Sequence, residues 1–403
     1  MPAEAKALSE KRGFDVGVVG GGVIGLACAW RLAQRGAKVV VLEKGSPGGG
    51  ATRVAAGMLA PVGELSFGEP ELLELTLAAS RMYPEFVAEL EAATGQSTGY
   101  EPLGALHVAL DRDEAAQLRR VHDLQRSLDL EAEWLSTRQC RELEPGLAPS
   151  FHGGVLAAGE AAIDPRALTE VLLAACEEDG VEVHAGTEVV EGIFEGARLV
   201  GVRTAKGQSD VQSTFDRPLD IRAQTVVIAN GAWSGRTEWL PEHARPAVRP
   251  VKGQVIELRT RDMEPPARHI LASERVYLVP RRDGRIVVGA TVEEMGFDTA
   301  VTAGGVHELL REAYRLLPDV AEMELVDATA GLRPGTPDNL PLVGPGAIDG
   351  LVLATGHYRN GILLAPLAAQ TVADHLSANR RTSFVGHRAT KDERAVTKVG
   401  PSA

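Results

Sequence analysis

The stretch from residue 14 to residue 43 restricts the fold more than any other. Residues 14–19 form a short, nearly all-apolar strand. It runs into Gly20-Gly21-Gly22-Val23-Ile24-Gly25, a G-x-G-x-x-G run with its glycines at Gly20, Gly22 and Gly25. The helix predicted over residues 23–35 carries Ile24, Cys28 and Leu32 in i, i+4 register, with Gly36 ending it. A second apolar strand, residues 38–42, delivers Glu43. Strand, turn, helix, strand and acid in this order specify a parallel βαβ unit. Its first helix points N-terminal amides at a pyrophosphate, and its acid accepts hydrogen bonds from a ribose.

The residues after Glu43 separate the dinucleotides. Residues 45–61 are small, with Gly48, Gly49, Gly50, Ala51, Ala55, Ala56 and Gly57 interleaved with Val54, Met58 and Leu59. Such a run suits the close-fitting wall of a large flat ligand better than a loop in water, and this favours FAD over NAD. Two further apolar strands end in glycine, at residues 225–231 and 351–356. Near-continuous Val, Ile and Leu mark strands covered on both faces, and ligands of such sheets bind beyond the strands' carboxyl ends. A helix over residues 164–176, opened by Asp164-Pro165, and a strand at 181–184 complete this part.

A different pattern lies between these pieces. Residues 103–110, 251–258, 276–280 and 286–290 read as antiparallel strands, the last pair joined through Asp283-Gly284, and helices are expected over 69–94 and 114–128. The fold class is therefore α/β (α+β). An FAD-binding Rossmann-type domain comprises residues 14–65, 150–245 and 325–378, and an antiparallel substrate domain comprises 66–149 and 246–324 and roofs the flavin. Residues 1–13 read as a disordered tail. Residues 379–403, with six Lys/Arg against two Asp/Glu, read as a mobile one.

Composition narrows the partners. A net charge of −13 argues against nucleic acid and anionic membrane surfaces, and no apolar run reaches membrane-spanning length. The first thirteen residues lack an apolar signal-peptide core. Cys28, Cys140 and Cys176 are scattered without metal-ligand spacing, which points to a reducing cytosol and to no metal site.

Residues 328–366 supply the chemistry. Arg333 sits between an apolar run and the rigid Pro334-Gly335 corner, so its guanidinium is fixed and partly desolvated, as suits an anion such as a substrate carboxylate. After the strand at 351–355 come Gly356, His357, Tyr358, Arg359, Asn360, Gly361, Ile362 and Leu363, a glycine loop opening a helix.

Together with Ala55-Ala56-Gly57-Met58-Leu59-Ala60-Pro61, Pro250-Val251-Lys252-Gly253, Tyr277-Leu278-Val279-Pro280 and Val288-Gly289-Ala290-Thr291, these strings resemble the D-amino-acid-oxidase-type flavoproteins. Within that group they are most similar to the glycine oxidases of thiazole biosynthesis, over residues 15–376. The resemblance implies non-covalent FAD, with the Val23 and Ile24 amides on the pyrophosphate and Glu43 on the ribose. Lys44, Ala51 and Thr52 would lie along the nucleotide, Ala56, Gly57 and Met58 beside the flavin, Val189 near the adenine and residues 357–363 under the isoalloxazine. It makes Arg333 and Tyr277 a carboxylate clamp, with Arg359 and Met58 shaping the amine side.

The implied reaction is oxidative deamination of glycine, other small amines or D-amino acids by hydride transfer. Oxygen would be the acceptor, hydrogen peroxide a product, and the imine a thiazole precursor. A homo-oligomer, dimer or tetramer, is implied too.

Other readings stay open on the residues alone. Arg333 can be a structural pairing arginine, Tyr277 a packing residue, Arg359 a strut for the roof and His357 a loop brace. Glu64 and Arg275 can gate the entrance or be solvated, and Arg275 adds a charge the family motif does not demand. A dehydrogenase with a different electron acceptor and a non-catalytic flavin-binding subunit are the functional alternatives.

Overall fold

The computed structural model describes residues 13–65, 67–205, 218–261 and 265–392, with side chains as far as residue 378. The three apolar strands that end in glycine lie side by side and parallel. Gly13–Val19 pairs with Asp220–Ile228, which pairs with Leu351–Thr355. Val39–Leu42 and then Glu182–His184 extend the other edge, also in parallel. Antiparallel additions flank this core, with Leu342–Pro345 on Leu351–Thr355 and the pair Val189–Glu195 and Arg198–Thr204 on Asp220–Ile228.

Alternation along the strands shows why both faces are dry. Val16, Val18, Val39, Val41 and Val227 enter one core with Leu26 and Trp30 of the helix Val23–Gln34. Val19, Val40, Leu42, Val226 and Ile228 enter another with Leu199 and Val202. Successive side chains of a strand point to opposite faces, so a run of apolar residues needs cover on both. The first core is closed by the helices Pro70–Thr94, Pro165–Glu178 and Gly361–Asp392. There Trp30 meets Phe86 edge to face at 5.7 Å, and the buried Tyr83 hydroxyl donates to the Ile362 carbonyl at 3.0 Å.

The second sheet runs Glu324–Gly335, Arg249–Arg259, Arg285–Gly289, Tyr277–Pro280, Ile270–Ala272, Ala105–Val108, Gly154–Ala157 and Glu133–Leu135. Its pairings are antiparallel except Ile270–Ala272 with Ala105–Val108, which is parallel. One face packs on the helix Ala303–Leu316 through Ile256, Leu258, Leu278, Ile286 and Val288. The other turns toward the parallel sheet. The Asp283-Gly284 hairpin and the expected helices form, at Pro70–Thr94 and Arg112–Ser127.

The sheets divide the chain differently from the sequence-based boundaries. Glu324–Gly335 and Gly154–Ala157 belong to the second sheet, whereas the pattern puts residues 325–335 and 154–157 with the nucleotide domain. Conversely, Pro70–Thr94 packs on the first core, not the second. Amphipathic periodicity shows that a face is buried but not against what. The last helix continues past residue 378 to Asp392, and residues 1–12 and 393–403 lie outside the described residues.

Candidate active site

A cavity of about 1350 Å³ lies between the two sheets. Pockets for single small ligands run to roughly 1,000 Å³, so this one has room for a dinucleotide and a small substrate together. Its floor is the carboxyl end of the parallel sheet: Val19, Gly20, Ala229, Asn230, Gly231, Ala354 and Thr355 all line it. The three strand-ending glycine segments thus converge on one site.

At the nucleotide end, Gly20 has φ of +108°, and a Cβ there would lie 2.5 Å from the Ala229 carbonyl oxygen. Only glycine fits where two strands' ends touch. Gly22 precedes the first helix, and the Val23 N–H donates to Thr52 Oγ1 at 3.1 Å, so Thr52 supplies the cap that Gly22 cannot. Glu43 accepts from the N–H groups of Gly21, at 2.7 Å, and Gly45, at 2.8 Å. Both carboxylate oxygens retain acceptor capacity. Lys44 pairs with Glu188 at 2.8 Å, next to Val189.

Gly20, Gly22, Val23, Ile24, Glu43, Lys44, Ala51, Thr52, Ala56, Gly57, Met58, Val189, His357, Tyr358, Arg359, Gly361 and Ile362 all face the cavity. Gly25, Asn360 and Leu363 do not. Gly25 sits where a Cβ would fall 2.0 Å from the Gly20 carbonyl, the Asn360 main-chain carbonyl accepts the helix's first hydrogen bond from Leu364 N–H, and Leu363 is buried in the first core.

The roof follows from strand alternation. Val251 pairs with Arg333, Gly253 with Gly331, Val255 with Gly289 and Tyr277 with Gly289. Gly253, Val255, Gly289, Tyr277, Gly331 and Arg333 accordingly share the face that lines the cavity. Arg333 is half-buried, and its Nη1 donates to the Thr291 carbonyl at 3.0 Å and the Lys252 carbonyl at 3.3 Å. A guanidinium carries five donors, so this grip fixes its plane and leaves others for a ligand.

Gly253 makes the slot: a Cβ there would lie 2.2 Å from Arg333 Nη1. Gly289 does the same for Tyr277, whose hydroxyl would be 2.3 Å from such a Cβ. Burial pushes the Tyr277 phenol above its ordinary range, while Arg333 beside it pulls the other way.

His357 is buried, its Nε2 has no hydrogen-bond partner, and burial lowers its pKa to about 4. An unpartnered buried ring nitrogen in the cavity wall has a hydrogen bond to offer a ligand. The glycine cradle, this open nitrogen and the cavity's volume fit FAD.

Some contributors carry no sequence signal. Arg281 is 5% exposed and donates to the Ala56 carbonyl, holding the 55–58 wall. His107, Trp233, Arg236 and Trp239 also line the cavity. The last three come after Gly231, and that strand-ending glycine is the one hint of their position.

A nucleotide cradle under a roof that holds a fixed arginine defines a class, the FAD-dependent oxidoreductases. The model of the FAD dependent oxidoreductase family matches residues 15–375, and the chain belongs to this family. Among named relatives it is 34% identical to the glycine oxidase of Geobacillus kaustophilus, over 92% of this chain and 94% of that one. It is 37% identical to the bifunctional protein ThiO/ThiG of Trichormus variabilis, over 93% of this chain and 54% of that protein. The chain therefore spans about half the length of such bifunctional relatives. The crystal structure of the Geobacillus kaustophilus glycine oxidase superimposes with a TM-score of 0.82, covering 91% of this chain and 95% of that one. An iminodiacetate oxidase from Chelativorans superimposes with a TM-score of 0.78 at 25% identity, covering 90% and 95%. Among the described residues no helix is long and apolar enough to cross a membrane, and no cluster of metal ligands occurs.

Proposed function

We propose that this protein oxidises glycine and other small amino acids at the carbon–nitrogen bond. The product is an imine that hydrolyses to a 2-oxo acid and ammonia or passes to thiazole synthesis. The observation that carries the reading is Arg333, fixed by two backbone carbonyls on the roof with Tyr277 on the same sheet face. A forked guanidinium and a phenolic hydroxyl give a carboxylate strong directional bonds, and pinning the acid end places the α-carbon over the cavity floor. Positioning of this kind supplies much of the rate.

FAD, when bound, is the hydride acceptor. The chain's own residues bind, orient and exclude water. Hydride loss needs a neutral amine whose lone pair pushes, so no protein base is required on carbon. The first turn of the helix at Gly361–Asp392 opens on the cavity through Gly361 and Ile362, and its positive end favours negative charge there. Names borne by relatives support glycine as substrate.

Molecular oxygen is the acceptor in this reading, with hydrogen peroxide as product, in a cytosol that keeps the three buried thiols free. Anaerobic addition of glycine, sarcosine and each alanine enantiomer to purified protein tests the substrate class. Loss of flavin colour with glycine and D-alanine but not L-alanine is expected. Colour unchanged by all four refutes the reading, and oxygen uptake during turnover separates an oxidase from a dehydrogenase.

A further inference from the structure

Arg333 hangs from the carbonyls of Lys252 and Thr291, and both carbonyls are tied down from behind the roof. Alternation along Arg249–Arg259 sends Gly253 and Val255 to the cavity and Lys252, Gln254 and Ile256 to the opposite face. Lys252 and Gln254 are 0% and 1% exposed there, so their polar ends must be met inside the protein.

The chain that follows Arg285–Gly289 meets them. Thr291 N–H donates to the Gln254 carbonyl at 3.2 Å, and Thr291 Oγ1 accepts from Gln254 N–H at 2.8 Å. Lys252 and Glu293 exchange both main-chain bonds, each at 2.9 Å. The Glu293 carboxylate then gathers the side chains. Its Oε1 accepts from Gln254 Nε2 at 2.7 Å and from Thr291 Oγ1 at 2.5 Å, and its Oε2 lies 3.7 Å from Lys252 Nζ, which also donates to Asp298 Oδ2 at 3.0 Å. Gln254 anchors the group to the helix Ala303–Leu316: its Oε1 accepts from Thr302 N–H at 2.8 Å and its Nε2 donates to Thr302 Oγ1 at 3.1 Å.

Glu293 does not line the cavity, yet it touches both residues whose carbonyls hold the guanidinium. Arg333 has little room to adjust, since the slot it occupies is one that a Cβ on Gly253 would close. A small shift of either carbonyl is therefore passed to the guanidinium and to any carboxylate on it. We propose that Glu293 is a positioning residue for the carboxylate clamp, fixing Arg333 through Thr291 and Lys252 and so setting the affinity for ligands with an acid group. This assignment rests on the reading of Arg333 as the clamp.

The test uses flavin-loaded protein, glycine as substrate and acetate as a ligand that has the acid group alone, its binding read by calorimetry. Glu293→Ala should raise KM for glycine and Kd for acetate by about fivefold or more, with kcat and flavin content near wild type. Thr291→Val removes the hydroxyl that joins Glu293 to Gln254 N–H and should weaken both in the same way. In an Arg333→Leu background, Glu293→Ala should lower kcat/KM for glycine by no more than a further factor of about two, whereas a merely structural defect would cost the same in both backgrounds. Should Glu293→Ala lose its flavin, Thr291→Val carries the same cycle. Wild-type KM and Kd in both variants overturn the proposal, as does a loss that is undiminished in the Arg333→Leu background. If Arg333→Leu itself matches wild type, the clamp reading falls and takes this assignment with it; a damaged clamp in Arg333→Leu beside an intact one in Glu293→Ala removes Glu293 alone.

Discussion

Space, at the scale of single residues, matters as much as functional groups. Arg333 is visible in the sequence because the Pro334-Gly335 corner is rigid and the preceding run apolar. Gly253 and Gly289 are not, since their contribution is an absence that accommodates side chains from other strands. Gly253→Ala should therefore behave like a damaged clamp: a Cβ 2.2 Å from Arg333 Nη1 forces the guanidinium out of its slot. Steady-state kinetics are expected to show KM for glycine raised roughly tenfold or more, on the order of 1–3 kcal/mol for an overpacked site, with flavin content retained. A KM equal to wild type would show the slot to be irrelevant. Glu43 presents the converse case. Its backbone partners, Gly21 and Gly45, lie beside the glycine turn, so Glu43→Ala removes the proposed ribose acceptor and loosens the turn together. Purified Glu43→Ala should be largely colourless and regain colour only in excess FAD; full colour after extensive dialysis would count against it.

Elements are legible where one physical signal dominates. Unbroken apolar runs ending in glycine mark the three central strands, and all three meet at the cavity. The helix Pro70–Thr94 is legible as a helix but not as a neighbour of the parallel sheet, because its pattern names a buried stripe and not the partner. Asp164 shows how elements are then tied together. It caps Pro165–Glu178 by accepting from Arg166 N–H at 2.9 Å and Ala167 N–H at 3.4 Å, and its other oxygen pairs with Arg285 of the roof at 2.8 Å. The Asp164 carboxyl lies below its ordinary range: burial raises it, but the bond from Arg285 and neighbouring cationic and backbone donors more than offset this. Asp164→Ala should cost about 1–2 kcal/mol from the cap alone, read as a lower midpoint in denaturant. Asp164→Asn keeps an acceptor for the cap and should recover part of it. If both variants match wild type, the cap and the seam contribute nothing to stability.

Across the whole molecule, the chain returns to the parallel sheet at residues 13–19, 39–42, 182–184, 220–228 and 351–355. Apolar patterning marks these pieces but not the seams, since a strand such as Glu324–Gly335 looks the same whichever sheet receives it. Glu160, in the turn between Gly154–Ala157 and Ala161–Ala162, is a buried acid that accepts from the Val62 and Gly63 N–H groups, and it gives stability a pH dependence. Burial raises the Glu160 carboxyl from its ordinary 4.5 to about 8, with the Val62 and Gly63 N–H groups opposing and Glu64 reinforcing. The protonated form is favoured in the fold, so its stabilising effect is full below about pH 4.5 and is lost as pH rises toward about 8. Glu160→Gln should flatten the fall in Tm between those limits, and an undiminished fall would remove Glu160 as its source. The proposed chemistry depends on a flavin-loaded cavity in which Arg333 holds an amino acid by its carboxylate. Anaerobic titration of wild type and Arg333→Leu with glycine, followed by flavin colour, tests this most directly. Equal flavin content is predicted, with the variant needing a glycine concentration higher by the equivalent of about 2–5 kcal/mol. Superimposable titrations would contradict the role given to Arg333.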